Sequence, residues 1–421
     1  MTTLDLDFVR AQFPAFAHPE MGLWAHLENA GGSYCPSQVV DLLADLFAHA
    51  KCQPNWDFGP SVVATEAMDR SRAVMAELFA ADEGEIHFGP STSQNTYVLA
   101  KAMRPMWDDG DEIIVTGQDH EANQGAWRRL ADTGIVVKEW AVDPESGLLN
   151  PTDLDELITA RTRLLAVTHA SNIAATINPV RALADRVHAV GGHIVVDGVS
   201  YAPHGLPDVA ALDCDVYLYS TYKTYGPHVG LMYTRRSLLE QMTNQGHYFK
   251  DTTPEGWLTP AGPDHAAIGS VAGIADYYDT LVAHHGIEGT TRRDRVASLV
   301  ARGVPKQQIL EIAPAWTLSG YTTETTLEEV EVFIDSAIRK GFAPRYRDLT
   351  VPFEALDPNK LISTGDPVFQ SEDRGEDNAK PDYTFLSAPE LTSLPQPKWL
   401  IKGLLPSSGI ATIFGPSRSG K

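Results

Sequence analysis

The chain has 421 residues, of which 43% are hydrophobic, so it can bury a large core, and its length predicts two or three domains. A formal net charge of -22 at pH 7 argues against nucleic acid or an anionic membrane as a partner of the main body. Cys35, Cys52 and Cys214 show no paired spacing, which indicates a reducing compartment and no zinc site. The acidic N-terminus lacks a signal-peptide pattern, and no apolar run approaches the roughly 20 residues of a membrane span, so a soluble, cytoplasmic protein is expected.

The N-terminal segment predicts three helices, over residues 5–13, 36–50 and 62–79. A turn with two consecutive glycines, Gly31 and Gly32, lies between the first two helices. Paired glycines let backbone amides approach a ligand closely, although a plain turn explains them equally well.

The segment EIHFGPSTSQNTYVLAKAM predicts a strand, a short polar turn and a helix. The strand is expected to end at Phe88, the turn carries Ser91, Thr92 and Ser93, and the helix is expected to begin near Gln94. Free amides and hydroxyls at a helix N-terminus suit a phosphate group. An ordinary helix cap explains the same residues, because Ser and Thr are favoured there.

Between residues 111 and 200 predicted strands alternate with predicted helices, one of which begins after His120. This alternation is typical of a parallel sheet covered by helices on both faces. Ligands of such sheets bind beyond the carboxyl ends of the strands, and these ends carry His120, Asn172, Asp197 and Lys223. Each has an ordinary structural explanation, but four such residues at successive strand ends favour a binding site.

Lys223 lies between two predicted strands in VYLYSTYKTYGPHVGLMY. Nearby tyrosines are expected to desolvate its amine, which lowers the pKa of the amine and frees its lone pair to attack a carbonyl. That is the chemistry of a Schiff-base lysine. Together the four residues fit a pyridoxal-phosphate site, in which a carboxylate such as Asp197 keeps the pyridine nitrogen protonated. His120 could stack on the ring, and Asn172 could bond the phenolic oxygen.

The chain resembles the class V aminotransferases, especially the cysteine desulfurase-like branch. The resemblance covers about 230 residues and is carried by ENAGGSYCP, PSTSQNTYVLA, DHEANQGAW, THASNIAATINPV, HIVVDGVSYAPHG and LDCDVYLYSTYKTYGPHVGLMY. It implies a pyridoxal-phosphate-dependent α/β fold of type I, a homodimer, and an amino-acid substrate.

The resemblance also implies roles for individual residues. It makes Lys223 the lysine of the internal aldimine and the proton shuttle, Asp197 the partner of the pyridine nitrogen, and His120 the stacking residue. The other implied contacts are Asn172 with the phenolic oxygen, Thr92, Ser93 and Ser220 with the phosphate, Ser200 and Tyr222 with the cofactor, and Ala30 and Gly31 with the substrate carboxylate.

The chain departs from the family pattern at several positions. Ser200 stands where related enzymes usually have glutamine, Tyr222 where desulfurases commonly have histidine, and Gly262 where a threonine is usual. No cysteine follows Cys214, whereas the desulfurase nucleophile lies in the C-terminal small domain. These departures put persulfide chemistry in doubt. The expected activity is removal of a Cβ substituent, with transamination, epimerisation or an inactive cofactor-binding protein as alternatives.

The class V pattern is lost from about residue 288. Two short helices are expected over 291–314 and a third over 325–341, and a strand at 409–414 leads into GPSRSGK, a phosphate-binding P-loop pattern. This end resembles the start of RecA-like replication ATPases, which suggests a truncated or chimeric reading frame. A nucleotide-binding replication protein is a further alternative, against which the acidic charge argues. The expected boundaries are 1–287 for the cofactor-binding domain, 288–345 for a helical segment, 346–394 for a linker and 395–421 for the P-loop segment.

Overall fold

A computed structural model describes residues 4–20, 29–144, 146–174 and 176–300, together with two short strands further along the chain. These strands, Trp399–Ile401 and Leu405–Pro406, pair antiparallel within a second unit that comprises residues 355–421. Every other described element belongs to the first unit. The helix predicted over 325–341, the whole predicted linker, most of the second helix before it and the P-loop pattern lie outside the described residues.

In the described part of the first unit, one sheet of seven strands forms the centre of the fold. The strands are β1 (Ile86–Gly89), β2 (Glu112–Thr116), β3 (Val136–Trp140), β4 (Thr162–Thr168), β5 (His193–Asp197), β6 (Val216–Ser220) and β7 (Gly230–Thr234). Their order across the sheet is β1-β7-β6-β5-β4-β2-β3. Strands β2 to β6 are parallel, and β7 runs antiparallel to both β1 and β6. The predicted mostly parallel α/β sheet is confirmed.

Helices cover the sheet. They are α1 (Leu6–Ala11), α2 (Pro14–Ala17), α3 (Ser37–His49), α4 (Gly59–Phe79), α5 (Thr92–Met103), α6 (Gly125–Arg128), α7 (Pro151–Leu157), α8 (Val180–His188), α9 (Val209–Leu212), α10 (Arg236–Leu239), α11 (His265–Ser270), α12 (Ala272–His284) and α13 (Arg292–Val300). Within the described residues, none of these helices combines the length and apolarity needed to cross a bilayer.

Both faces of the sheet are buried. Val216 and Leu218 of β6 pack into one hydrophobic cluster, whereas Tyr217 and Tyr219 of the same strand pack into another. Side chains alternate between the faces of a strand, so a strand covered by helices on both sides is apolar throughout. Polar groups therefore collect at the strand ends.

Two helices begin earlier than predicted. Helix α4 begins at Gly59, because Pro60 lies in the first turn, where a backbone amide has no helical acceptor to lose. Helix α5 begins at Thr92, because the Ser91 side chain caps it by accepting a hydrogen bond from the Gln94 amide at 3.2 Å.

The single helix predicted after His120 is wrong. A 3₁₀ turn at Glu121–Asn123, the short helix α6 and a second 3₁₀ turn at Arg129–Thr133 occupy this stretch. The Asn123 side chain donates to the Asp119 carboxylate at 2.9 Å, and the Gln124 side chain donates to the Asp119 carbonyl. Such side-chain bonds offer the backbone an alternative to a continuous helix.

Candidate active site

A cavity of about 80 Å³ opens at the carboxyl ends of strands β2, β4, β5 and β6, and it is several times larger than one water molecule needs. It is lined by Ser91, Thr92, Ser93, His120, Ala122, Thr168, Asn172, Asp197, Val199, Ser200, Ser220, Tyr222 and Lys223. All the predicted cofactor-contacting residues therefore meet in one place. Sequence reasoning did not select Ala122, Thr168 and Val199, although each lies in a stretch that carries the class V resemblance.

One end of the cavity can hold an anion. The turn from Ser91 to Ser93 opens helix α5, whose N-terminal amides carry partial positive charge. Thr92 Oγ1 lies 2.7 Å from Ser220 Oγ, which ties this turn to the end of β6. A Cβ atom on Gly230 would lie 2.4 Å from the Ser91 carbonyl carbon, so only glycine allows β7 to lie against the turn.

Asp197 lines the cavity at the end of β5. Its side chain is 4% exposed, and its Oδ1 accepts a hydrogen bond from the Val199 amide at 2.9 Å. Burial raises the pKa of Asp197, while the Val199 amide and the nearby charges of His120 and Lys223 act in the opposite direction. A buried carboxylate of this kind suits a cationic partner in the cavity.

His120 and Asn172 also line the cavity. The Ala122 amide donates to Nδ1 of His120 at 3.1 Å, which fixes this ring nitrogen as the acceptor and orients the imidazole. Asn172 lies in the turn after β4, where the preceding Ser171 hydroxyl accepts from the Ala174 amide at 3.1 Å. His120 is therefore both a helix cap and a cavity residue.

Lys223 ends a 3₁₀ turn, Thr221–Lys223, directly after β6. The adjacent Tyr222 ring stacks on His228, with ring centroids 4.4 Å apart. A Cβ atom placed on Gly32 would lie 3.4 Å from the Tyr222 ring, so the Gly32 backbone packs against Tyr222. The turn that contains Ala30 and Gly31 is exposed and does not line the cavity, but it leads directly to this contact.

His169 contacts the backbone of Asp197 and two buried tyrosines, and sequence reasoning did not select it. Its amide donates to the Asp197 carbonyl at 2.8 Å, its Nδ1 lies 2.9 Å from the Tyr217 hydroxyl, and its ring stacks on Tyr201 at 3.6 Å. Burial lowers the pKa of His169 to about 3, so the ring is neutral at pH 7. It contributes a fixed, uncharged support beneath Asp197.

Asp119 is a second buried carboxyl that sequence reasoning missed, although it precedes His120 directly. It is 6% exposed and accepts hydrogen bonds from the Asn123 side chain at 2.9 Å and the His120 amide at 3.1 Å. Burial and the Asp197 charge raise the pKa of Asp119 well above its usual range. Two neighbouring buried carboxyls disfavour double ionisation, and the charges of His120 and Lys223 favour the ionised form of Asp197. We therefore infer that Asp119 is the protonated member of the pair.

The Asp119→Asn variant should gain stability relative to the wild type as the pH rises from 4 to 7. Because the pKa of Asp119 is raised in the folded state, its contribution to the free energy of unfolding is largest below an unfolded pKa of about 3.9 and declines toward the folded pKa. Asparagine does not titrate. Urea unfolding of both proteins at several pH values measures the difference. The control Asp132→Asn removes an exposed carboxyl from the 3₁₀ turn at Arg129–Thr133, and a pH dependence of Asp119→Asn no larger than that of this control would refute the assignment.

The described cysteines lie outside the cavity lining. Cys35 is partly buried, its Sγ lies 3.3 Å from the Gly226 carbonyl, and burial raises its pKa. Cys214 is fully buried, and burial raises the pKa of its thiol as well. Neither thiol is poised as a nucleophile, because an attacking thiol needs a lowered pKa and access to the substrate.

The architecture is that of pyridoxal-phosphate-dependent enzymes of fold type I. The solved structure of the apo cysteine desulfurase of Thermococcus onnurineus NA1 aligns with a TM-score of 0.59 at 24% identity, covering 68% of this chain and 74% of that one. Residues 25–276 match the family described as Aminotransferase class-V, and the chain belongs to that family. It is thus a pyridoxal-phosphate-dependent enzyme of the transferase or lyase type.

Two fungal relatives illustrate the range of similarity. The chain is 30% identical over 370 residues to the aminotransferase-like protein FGM3 of Gibberella zeae, covering 81% of this chain and 88% of FGM3. It is 33% identical over 254 residues to the cysteine desulfurase-like protein ustD of Aspergillus flavus, covering 58% of this chain and 57% of ustD. The chain therefore spans little more than half the length of the second relative.

The residues of the cavity fit pyridoxal phosphate. The turn at Ser91 approaches β7 through Gly230 and offers hydroxyls and helix amides to a phosphate. The buried Asp197 offers a carboxylate to a protonated ring nitrogen, and Lys223 lies in the same cavity. An anion site, a buried carboxylate and an amine together match the donor set that this cofactor requires.

Proposed function

We propose that the chain is a pyridoxal-phosphate-dependent enzyme that acts on an amino acid and removes a substituent from its Cβ atom, as a cysteine desulfurase-like lyase does. The observation that carries the proposal is the convergence of Lys223, the buried Asp197 and the hydroxyl-rich turn before α5 on one cavity. When bound, the cofactor withdraws electrons from the substrate Cα atom.

The chain's own residues then have separate tasks. Asp197 Oδ would hold the proton at the ring nitrogen, and the fixed His120 imidazole would pack on the cofactor ring. Asn172 would bond the phenolic oxygen, while Thr92, Ser93 and Ser220 would hold the phosphate. Ser200 and Tyr222 complete the wall around the cofactor.

Lys223 has two tasks in the proposal. Its Nζ would be the group that holds the cofactor when substrate is absent, and the same amine would accept the proton from the substrate Cα atom. The turn with Ala30 and Gly31 meets the substrate carboxylate. Its exposure and its approach to Tyr222 through Gly32 support a place at the mouth of the cavity.

The proposal assigns no sulfur acceptor. Cys35, Cys52 and Cys214 are absent from the cavity lining, so a substituent that leaves Cβ would depart into solvent or to an external acceptor. Transamination is the second candidate, favoured by the similarity over most of its length to the aminotransferase-like FGM3.

An amino-acid panel tests these two candidates. The purified chain with pyridoxal phosphate and a small-molecule thiol as external acceptor is incubated with cysteine, selenocysteine, serine, aspartate and alanine, with and without an α-keto acid. Release of the Cβ substituent without a keto acid supports the lyase. Turnover that requires the keto acid supports the aminotransferase and refutes Cβ removal. Cofactor binding without any turnover would refute both and favour an inactive cofactor-binding protein.

We also propose a homodimer, with a partner surface around the start of α4. Trp56 is 66% exposed and Phe58 49%, and Val62 and Val63 are exposed next to them. Exposed apolar patches of this kind typically mark interaction sites, and the occupant we propose is a second copy of the chain, as in the class V family.

The Trp56→Glu variant should dissociate into monomers, because a buried unpaired charge opposes association. Light scattering after gel filtration should give twice the chain mass of 45.9 kDa for the wild type and a single chain mass for the variant. Val136→Glu, which changes a 45% exposed side chain on the edge strand β3, should remain dimeric. A monomeric wild type, or a dimeric Trp56→Glu protein, would contradict the proposed surface.

A further inference from the structure

The turn that carries Lys223 has an unusual backbone. Thr221–Lys223 form a 3₁₀ turn. Two residues later, Tyr225 has a φ angle of +66°, in the left-handed region that residues other than glycine rarely adopt. The turn contains its own bonds, from the Thr224 amide to the Thr221 carbonyl at 2.8 Å and from the Gly226 amide to the same carbonyl at 2.9 Å. A strained conformation persists only when its surroundings hold it.

Ser33 holds this turn from outside. Its amide donates to the Tyr222 carbonyl at 2.9 Å, and its hydroxyl donates to the same carbonyl at 3.1 Å. The hydroxyl oxygen also accepts a hydrogen bond from the Tyr225 amide at 2.7 Å. One serine side chain therefore bridges the residues on either side of Lys223 and Thr224, using both its donor and its acceptor.

The residues on either side of Ser33 also contact the lysine turn. Gly32, immediately before Ser33, lies against the Tyr222 ring, and the exposed turn with Ala30 and Gly31 precedes it. On the other side, Cys35 Sγ lies 3.3 Å from the Gly226 carbonyl. The segment thus runs alongside the lysine turn from Tyr222 to Gly226.

We propose that Ser33 is a positioning residue: its hydroxyl bridge holds the lysine turn so that Lys223 Nζ stays directed into the cavity. The inference rests on the proposed function for its catalytic consequence, but the bridge itself is a property of the chain without cofactor. Without the hydroxyl, the Tyr225 amide loses its acceptor in a strained turn, and the turn relaxes. Lys223 would then bind the cofactor but move the substrate proton less efficiently.

Ser71 provides a matched control. Its hydroxyl donates to the Gly269 carbonyl at 3.0 Å and accepts from the Ala272 amide at 3.1 Å, so it bridges a carbonyl and an amide three residues apart, as Ser33 does. Ser71 is fully buried, joins α4 to α11 and α12, and is absent from the cavity lining. Removing either hydroxyl therefore deletes the same type of bridge.

The test compares the wild type with Ser33→Ala, Ser33→Thr and Ser71→Ala, all as the full chain. Hydrogen–deuterium exchange without cofactor should be faster in Ser33→Ala over peptides covering residues 221–230 and unchanged there in Ser71→Ala and Ser33→Thr. With cofactor, Ser33→Ala should lower kcat by about 10-fold to 100-fold, the scale expected for a misplaced catalytic group, with little change in cofactor Kd. The pH midpoint of the cofactor absorption band should shift in Ser33→Ala alone.

Unchanged exchange over 221–230 in Ser33→Ala would overturn the positioning role. The positioning role would also be overturned if kcat fell in both Ser33→Ala and Ser71→Ala in proportion to the stability that each variant loses. If the wild type bound cofactor but turned over no amino acid, the proposed function would fail, whereas faster exchange and a shifted pH midpoint in Ser33→Ala would still support the bridge. If the wild type bound no cofactor, exchange alone would decide the role of Ser33.

Discussion

The Lys223→Ala variant should lose about 10³-fold in kcat with any amino acid that the wild type turns over, because the amine that moves the substrate proton is gone. Its absorption spectrum with pyridoxal phosphate should resemble that of the free cofactor, since no other amine was predicted for the cavity. Stopped-flow or steady-state kinetics and a spectrum of the gel-filtered protein measure the two effects.

Two variants control for this result. Lys101→Ala removes an exposed lysine from helix α5 and should retain both activity and spectrum. Lys223→Arg keeps a positive charge opposite Asp197 but cannot bind the aldehyde, because the guanidinium is always protonated. A Lys223→Ala protein with wild-type kcat would remove Lys223 from the proposed mechanism.

The Asp197→Asn variant should also lower kcat by about 10³-fold. Two unit charges 4 Å apart at an effective dielectric constant of 20 interact by about 4 kcal/mol, which corresponds to about three powers of ten in rate. Asparagine has nearly the same shape and can still accept the Val199 amide bond, so the expected loss comes from the missing charge. The variant should bind cofactor with an altered absorption band.

Asp215→Asn separates a charge effect at the site from a loss of stability. Asp215 is also buried, but it precedes β6 at the opposite end of the sheet, where it accepts from the Ile194 amide at 2.8 Å and contacts His188. This variant should have a lower midpoint of urea unfolding and an unchanged kcat. Equal losses of kcat in the two variants would mean that Asp197 acts only through stability.

Local patterns predicted the cavity residues well for a physical reason. In a parallel sheet the carboxyl ends of all strands lie at the same end of the sheet, so residues that follow strands in sequence meet there. His120, Asn172, Asp197 and Lys223 each follow a strand, and all four line the cavity. The local pattern left the turn at Ser91 open between a phosphate site and an ordinary helix cap, and the class V resemblance favoured the phosphate site. The cap at Ser91 depends only on neighbouring residues.

Other features of the site depend on contacts that no local pattern contains. The raised pKa of Asp119 arises from burial beside Asp197, and those residues are far apart in the sequence. The break in the helix after His120 came from side-chain bonds back to Asp119, which periodicity does not report. Ser33 was passed over within a glycine-rich turn because its partners lie 189 and 192 residues away.

The sequence by itself determined the strands, most helices and the polar residues at the strand ends, because these depend on side-chain periodicity and neighbouring caps. The tertiary structure decided the strand order, the antiparallel placement of β7 beside β1, and the contact between the turn at Ser91 and Gly230. It also decided how Ser33 holds the turn of Lys223. Pairings of this kind depend on which distant segments pack together, and that is set by the burial of the whole core.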